Sequence, residues 1–90
     1  MKITQILWDA ESIYHIAKHN VTPDEVEEAV FEGNAIVLKG KERRYIVLSK
    51  TISGRYLTIV VAFKLKGRVQ VITARDMDEK ERKYYKRKGK

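Results

Sequence analysis

The chain has 90 residues, 43% hydrophobic and 34% charged, with no cysteine. One domain's length with enough apolar material for a core excludes a two-domain enzyme, a disordered chain, a disulfide scaffold, a thiolate metal site and a cysteine nucleophile. The net charge of +7 is uneven: residues 1–40 hold three basic and seven acidic side chains, residues 41–90 sixteen and five. Such asymmetry points to a polyanion partner, most simply nucleic acid, although Lys and Arg also serve solubility alone.

Ile3–Trp8 reads as a short first strand, and Asp9 or Ser12 can cap a short helix ending near Lys18. Thr22-Pro23-Asp24-Glu25 is a strong helix start. Thr22 is the cap, Pro23 fits the first helical position, and Glu25 can close a capping box. Gly33 or Asn34 ends this helix, with Val26, Ala29 and Val30 as its buried stripe.

The period then changes. Ala35–Lys39, Arg44–Ser49, Tyr56–Phe63 and Arg68–Ala74 are β-branched and aromatic runs with hairpin-length connections. Four such strands predict an antiparallel meander, with Tyr56–Phe63 central because it is apolar on both faces. Asp76 or Asp78 caps a last, basic helix over Glu79–Lys88, and Gly89-Lys90 frays. The expected fold is α+β, in the order β-α-α-β-β-β-β-α, with the helices packed on one face of a twisted antiparallel sheet. Residues 1–88 form a single domain. The most apolar run, Leu57–Phe63, is far too short to cross a bilayer, and the first residues lack a signal peptide's apolar stretch. A soluble cytoplasmic protein without membrane contact is expected.

Counting outward from the Lys64–Gly67 loop, Arg55 opens one strand and Arg75 follows another, within about two positions of each other. Both are odd-numbered, like Leu57, Ile59, Val69 and Val71, so both are expected on one sheet face. Two guanidiniums there would hold an anion such as phosphate, unless each pairs with a carboxylate such as Asp9 or Asp76.

Several stretches, taken in order, resemble a known family. They are Trp8-Asp9, Lys18-His19-Asn20-Val21-Thr22-Pro23, Arg44-Tyr45, Gly54-Arg55, Val71-Ile72-Thr73-Ala74-Arg75, and Glu81-Arg82 with Tyr84-Tyr85. The ordered set resembles the BrnT toxins, in the RelE-like superfamily of small ribonuclease toxins from bacterial toxin–antitoxin pairs. The resemblance implies a compact RelE-like fold, metal-independent endoribonuclease activity, and neutralisation by a DNA-binding ribbon-helix-helix antitoxin. Lys18, His19, Arg55 and Arg75 match the family's polar motif positions, and Trp8 and Arg44 match more weakly. Asn20 stands where the family usually has glycine, a mild change because Asn tolerates the left-handed backbone.

Metal-free RNA cleavage uses the 2′-hydroxyl as nucleophile on the adjacent phosphate and needs a base, an acid and cations around the phosphorane. His19 is the titrating candidate, Lys18 an acid or added charge, and Arg55 with Arg75 the phosphate clamp. His19 could instead only cap the end of its helix. His15 and His19 have i, i+4 spacing but no third ligand, so neither metal nor cofactor is expected. The basic last helix, with Lys83, Tyr85 and Arg87, offers an RNA-contact rim beside Arg44 and Trp8, although the end of a first strand suits Trp8 better as a core or rim aromatic than as a base-stacking platform. One of Tyr84 and Tyr85 should pack on the sheet. The expected partners are an RNA substrate and an antitoxin, with a homodimer or a toxin–antitoxin heterotetramer as possible assemblies. The alternative is a non-catalytic RNA/DNA-binding or protein-interaction module of the same fold.

Overall fold

A computed structural model describes residues 2–88; Met1 and the expected fraying of Gly89-Lys90 lie outside the described residues. The elements in order are β1 (Gln5–Leu7), α1 (Ala10–Ala17), α2 (Pro23–Glu32), β2 (Ile36–Lys39), β3 (Arg44–Lys50), β4 (Tyr56–Phe63), β5 (Arg68–Asp76) and α3 (Glu79–Lys88).

Local chemistry sets the helix starts. Asp9 caps α1, and Ser12 closes its capping box. Thr22 caps α2 with Pro23 in its first turn, and Glu25 returns a hydrogen bond to the Thr22 amide at 3.0 Å. Asp78 and Glu81 exchange the same pair of bonds at the start of α3, both at 2.8 Å. Between α1 and α2, Asn20 takes a φ of 59°, a left-handed geometry that Asn tolerates well. Gly33 ends α2, as expected, in extended backbone (φ −90°, ψ 174°). Its lack of a side chain serves close packing. A Cβ there would lie 2.7 Å from the Lys50 carbonyl and collide with Ser49 Oγ. Ser49 Oγ donates to the Ala29 carbonyl at 2.7 Å, tying α2 to the sheet.

The sheet order is β1-β5-β4-β3-β2. β2 to β5 form an antiparallel meander, but β1 runs parallel to β5, so the sheet is mixed and not wholly antiparallel. The first strand docks on the edge that the last strand leaves open. Thr4 N–H donates there to the Gly67 carbonyl at 2.8 Å.

The helices occupy both faces, correcting the expected single helical face. α1 and α2 cover one face, where Ile16, Val26 and Ala29 meet Val47, Leu57, Ile59, Val61, Val69, Val71 and Ala74, all buried. α3 covers part of the other, where Tyr85 joins Leu48 and Met77. The reason lies in the strands. β3 places Val47 on one face and Leu48 on the other, so both faces need cover. Among the described residues, no helix is long and apolar enough to cross a membrane.

A β-bulge interrupts β5. Val60 pairs with Thr73 and Val61 with Val71, leaving Ile72 as an extra residue. It shifts the side-chain parity of the strand by one. Ala74 therefore joins Val69 and Val71 in the core beneath α1 and α2, and Arg75 turns to the α3 face, opposite Thr58.

Candidate nucleic-acid interface

The site grows from the β3–β4 turn. Thr51 folds it: Thr51 N–H donates to the Arg55 carbonyl (2.9 Å), Gly54 N–H to the Thr51 carbonyl (2.9 Å), and Arg55 N–H to Thr51 Oγ1 (3.0 Å). Gly54 takes a φ of 98°, which disfavours any residue with a side chain. The turn aims Arg55 at the junction of three elements. Its Nε–H donates to Asp76 Oδ1 (2.8 Å), and Nη1 to both Glu25 oxygens (3.1 Å) and the Asn20 carbonyl (2.6 Å). Nη2 serves the His19 carbonyl (3.1 Å) and Asp76 Oδ2 (3.4 Å). The whole donor fork is spent inside the protein.

These contacts perturb their partners. The hydrogen bond from Arg55 holds the Asp76 carboxyl below its ordinary range, with the charges of Arg55 and His19 adding to the effect. Burial raises Glu25, but the Thr22 amide and Arg55 outweigh it and leave that carboxyl lowered too. The Asp76 bond is the largest contributor to a raised Arg55.

Arg75 does not share this face. It pairs with Glu81 through two parallel bonds of 2.9 Å, and its Nη1 also donates to the Asp76 carbonyl at 3.1 Å. Thr58 Oγ1 donates to the same Glu81 oxygen at 2.9 Å. Chiefly because of the Arg75 bond, the Glu81 carboxyl falls to about 2. The expected two-arginine phosphate clamp is therefore not assembled, because the bulge at Ile72 sends the two side chains to opposite faces. Each guanidinium is held by carboxylate instead.

The other site residues are scattered. His19 is exposed in the α1–α2 turn, held through its own backbone: its N–H donates to the Ile16 carbonyl at 3.0 Å. Lys18 beside it is exposed, with Nζ 4.8 Å from the Tyr14 ring centroid. Trp8 packs against the core rim and donates from Nε1 to Glu27 at 2.9 Å. Arg44 is exposed where β3 begins, opposite Ala62, roughly 20 Å along the strand from its other end. Lys83 is exposed and lies 3.9 Å from Glu79. Arg87 stands over the Tyr84 ring at 5.8 Å.

Tyr85 is corrected as an RNA contact. It is the tyrosine that packs on the sheet, 7% exposed, its hydroxyl donating to the Asn34 carbonyl at 2.9 Å and its ring edge-on to Tyr56 at 6.0 Å. No face remains for a base.

A basic cluster unexpected from the sequence surrounds Tyr56. Arg82 Cζ lies 4.5 Å from its ring centroid, and Lys50 Nζ and Lys86 Nζ each 5.4 Å. Lys50 is the direct cross-strand partner of Tyr56. Arg82 and Lys86 share one stripe of α3 by their i, i+4 spacing. That spacing is visible in the sequence, but ending the strand at Ser49 leaves out Lys50. An open cleft lined by Gly54, Arg55, Tyr56, Asp76, Met77 and Arg82 runs across this end of the sheet and joins its two faces. Among the described residues, no three His, Asp or Glu side chains converge as a metal centre requires.

Comparison with family models matches residues 8–81 to a family described as the ribonuclease toxin, BrnT, of a type II toxin–antitoxin system. No curated protein matches the chain.

Proposed function

The chain belongs to the BrnT family of ribonuclease toxins of type II toxin–antitoxin systems, and from that premise we propose that it is a metal-independent endoribonuclease of RelE-like fold, acting at the β3–β4 end of the sheet. The 2′-hydroxyl of the ribose attacks the adjacent phosphorus, and the 5′-oxygen leaves, giving a 2′,3′-cyclic phosphate and a free 5′-hydroxyl. His19 takes the hydroxyl proton, and Lys18 supplies charge or a proton to the leaving oxygen. Arg55 is a positioning residue. Its donors fix the His19 and Asn20 carbonyls and the Asp76 carboxylate, so they hold the base in place and do not meet the substrate. Arg75, paired with Glu81 and bonded to the Asp76 carbonyl, positions the end of β5 from the other face.

The observation that carries this reading is the exposed His19, anchored by main-chain contacts to the arginine that lines a cleft, with an uncompensated basic cluster on the cleft's other side. A type II system supplies a protein antitoxin. Here that partner is of ribbon-helix-helix type, and toxin and antitoxin assemble as a heterotetramer in the cytoplasm, which size determination on the co-purified pair would test.

The decisive experiment incubates the protein with end-labelled RNA in EDTA, beside His19→Ala. Cutting by the natural chain alone supports the reading. Equal cutting by both removes His19 from the site, and cutting by neither removes the isolated nuclease. The carboxylate pairing of both Arg55 and Arg75 favours one second reading, a nucleic-acid binder without catalysis. It predicts a gel shift with the RNA left whole.

A further inference from the structure

We propose that Tyr56, Lys50, Arg82 and Lys86 form a binding site for the phosphodiester backbone of single-stranded RNA, on the α3 face and apart from the His19–Arg55 cluster. The inference rests on the ribonuclease reading for the identity of its ligand. Three cationic groups within 4.5–5.4 Å of one ring centroid repel one another. The negative face of the ring offsets only part of that repulsion. Among the described residues none of the three forms an ion pair. The nearby acids are engaged elsewhere: Glu79 lies against Lys83, and Glu81 is taken by Arg75 and Thr58. The cluster lacks its counter-charge, and an anion would supply it.

The arrangement is held, not accidental. Lys50 and Tyr56 are fixed opposite each other in the β3–β4 ladder. Arg82 and Lys86 ride on a helix anchored by the Tyr85 bond to Asn34 and by the capping pair of Asp78 and Glu81. The Tyr85 ring braces Tyr56 edge-on at 79°. Cations gathered in a groove beside an aromatic ring are a combination that single strands take, and here the charges would hold the phosphates of the backbone. The cleft lined by Tyr56, Arg82, Arg55 and Asp76 leads from this cluster toward the His19 side, so one strand can span both.

The test is fluorescence anisotropy with a labelled single-stranded 2′-O-methyl oligoribonucleotide, which lacks the attacking hydroxyl, in EDTA over a range of salt. The full chain is compared with Lys50→Ala/Arg82→Ala/Lys86→Ala and with Lys39→Ala/Lys41→Ala/Lys64→Ala. The second variant loses the same charge at exposed positions of the sheet's other end, and circular dichroism checks that both fold. The first should bind about tenfold more weakly or worse, with a salt slope reduced by about 2, near 0.7 per lost phosphate contact. The second should lose about threefold or less. Equal losses in both variants overturn the site, as diffuse charge would then suffice. So does displacement of the natural chain's RNA by a polyglutamate peptide at equal concentration, which would mark an acidic protein segment as the occupant. Cleavage of unmodified RNA is read separately. RNA bound through the cluster but left whole ends the ribonuclease reading and keeps the site. Cleavage with undiminished binding by the first variant does the reverse.

Discussion

Arg55 and Arg75 stand on opposite faces of the sheet, yet both donate to Asp76, Arg55 to its carboxylate at 2.8 Å and Arg75 to its carbonyl at 3.1 Å. One residue thus fastens the helical layer on one side to the basic helix on the other. Arg55 reaches from Asp76 to the α1–α2 turn and the first turn of α2, and Arg75 reaches from Asp76 to Glu81 in α3. The end of β5 is where the three layers are joined.

Arg55→Ala should destabilise the fold by about 2–4 kcal/mol, because it strands Asp76, Glu25 and two carbonyls that now share one guanidinium. Arg55→Lys should recover less than half of the loss, since a single ammonium cannot replace a planar fork. Urea unfolding of the three proteins measures both effects.

Glu81 makes stability depend on acid. Its carboxyl titrates at about 2 in the fold against an ordinary 4.5. A depressed carboxyl stabilises above its unfolded value, and that stabilisation is lost as pH falls from about 4.5 through about 2. With Arg75 40% exposed, screening brings the contribution to roughly 1–2 kcal/mol. Thermal melts from pH 6 to pH 2 should fall less steeply for Glu81→Gln than for the natural chain, from a lower starting Tm.

Tyr85 should separate packing from hydrogen bonding. Tyr85→Phe keeps the ring against Tyr56 and loses only the bond to Asn34, about 1 kcal/mol. Tyr85→Ala empties the α3 core and should cost about 3–5 kcal/mol. The same substitution should weaken RNA binding, because α3 then no longer presents Arg82 and Lys86 to Tyr56. Denaturant curves and anisotropy, run on the same samples, check both.

His19→Ala should lower RNA cleavage by roughly 10²–10⁴-fold and leave the melting temperature within a degree or two. The main chain of His19, not its ring, meets Arg55 and Ile16. A loss of both activity and stability would mean that the ring is structural.

The parts legible in the sequence were those governed by neighbours along the chain. Thr22-Pro23-Asp24-Glu25 announced α2 because a capping box closes within one turn, and the β-branched runs marked the strands. The parts that were not legible depend on counts across the sheet. Parity placed Arg75 beside Arg55, and one unpaired residue, Ile72, reversed it. The direction of β1 was hidden because its partner lies more than sixty residues away, at Arg68–Gln70. The side taken by α3 is implied by Ile46 and Leu48 alternating with Val47, and the tyrosine expected to pack there is Tyr85, with Tyr84 partly buried beside it. In the candidate site, His19 and Lys18 lie in the exposed turn that follows α1. The Tyr56 cluster was missed because it needs the pairing of Lys50 with Tyr56 and the docking of α3 together.

The placement of helices on both faces has a consequence for how the molecule meets its target. The acidic α2, with Asp24, Glu25, Glu27, Glu28 and Glu32, lies on one side of the sheet, and the basic α3, with Lys80, Arg82, Lys83, Lys86, Arg87 and Lys88, on the other. The chain's uneven charge is thus divided across the thickness of the sheet, the acidic helix on one face and the basic helix on the other. The field of an approaching polyanion attracts the α3 face and repels the α2 face, which favours encounters that begin on the α3 side. Added salt would then randomise the approach and slow association, even where the final complex is unchanged.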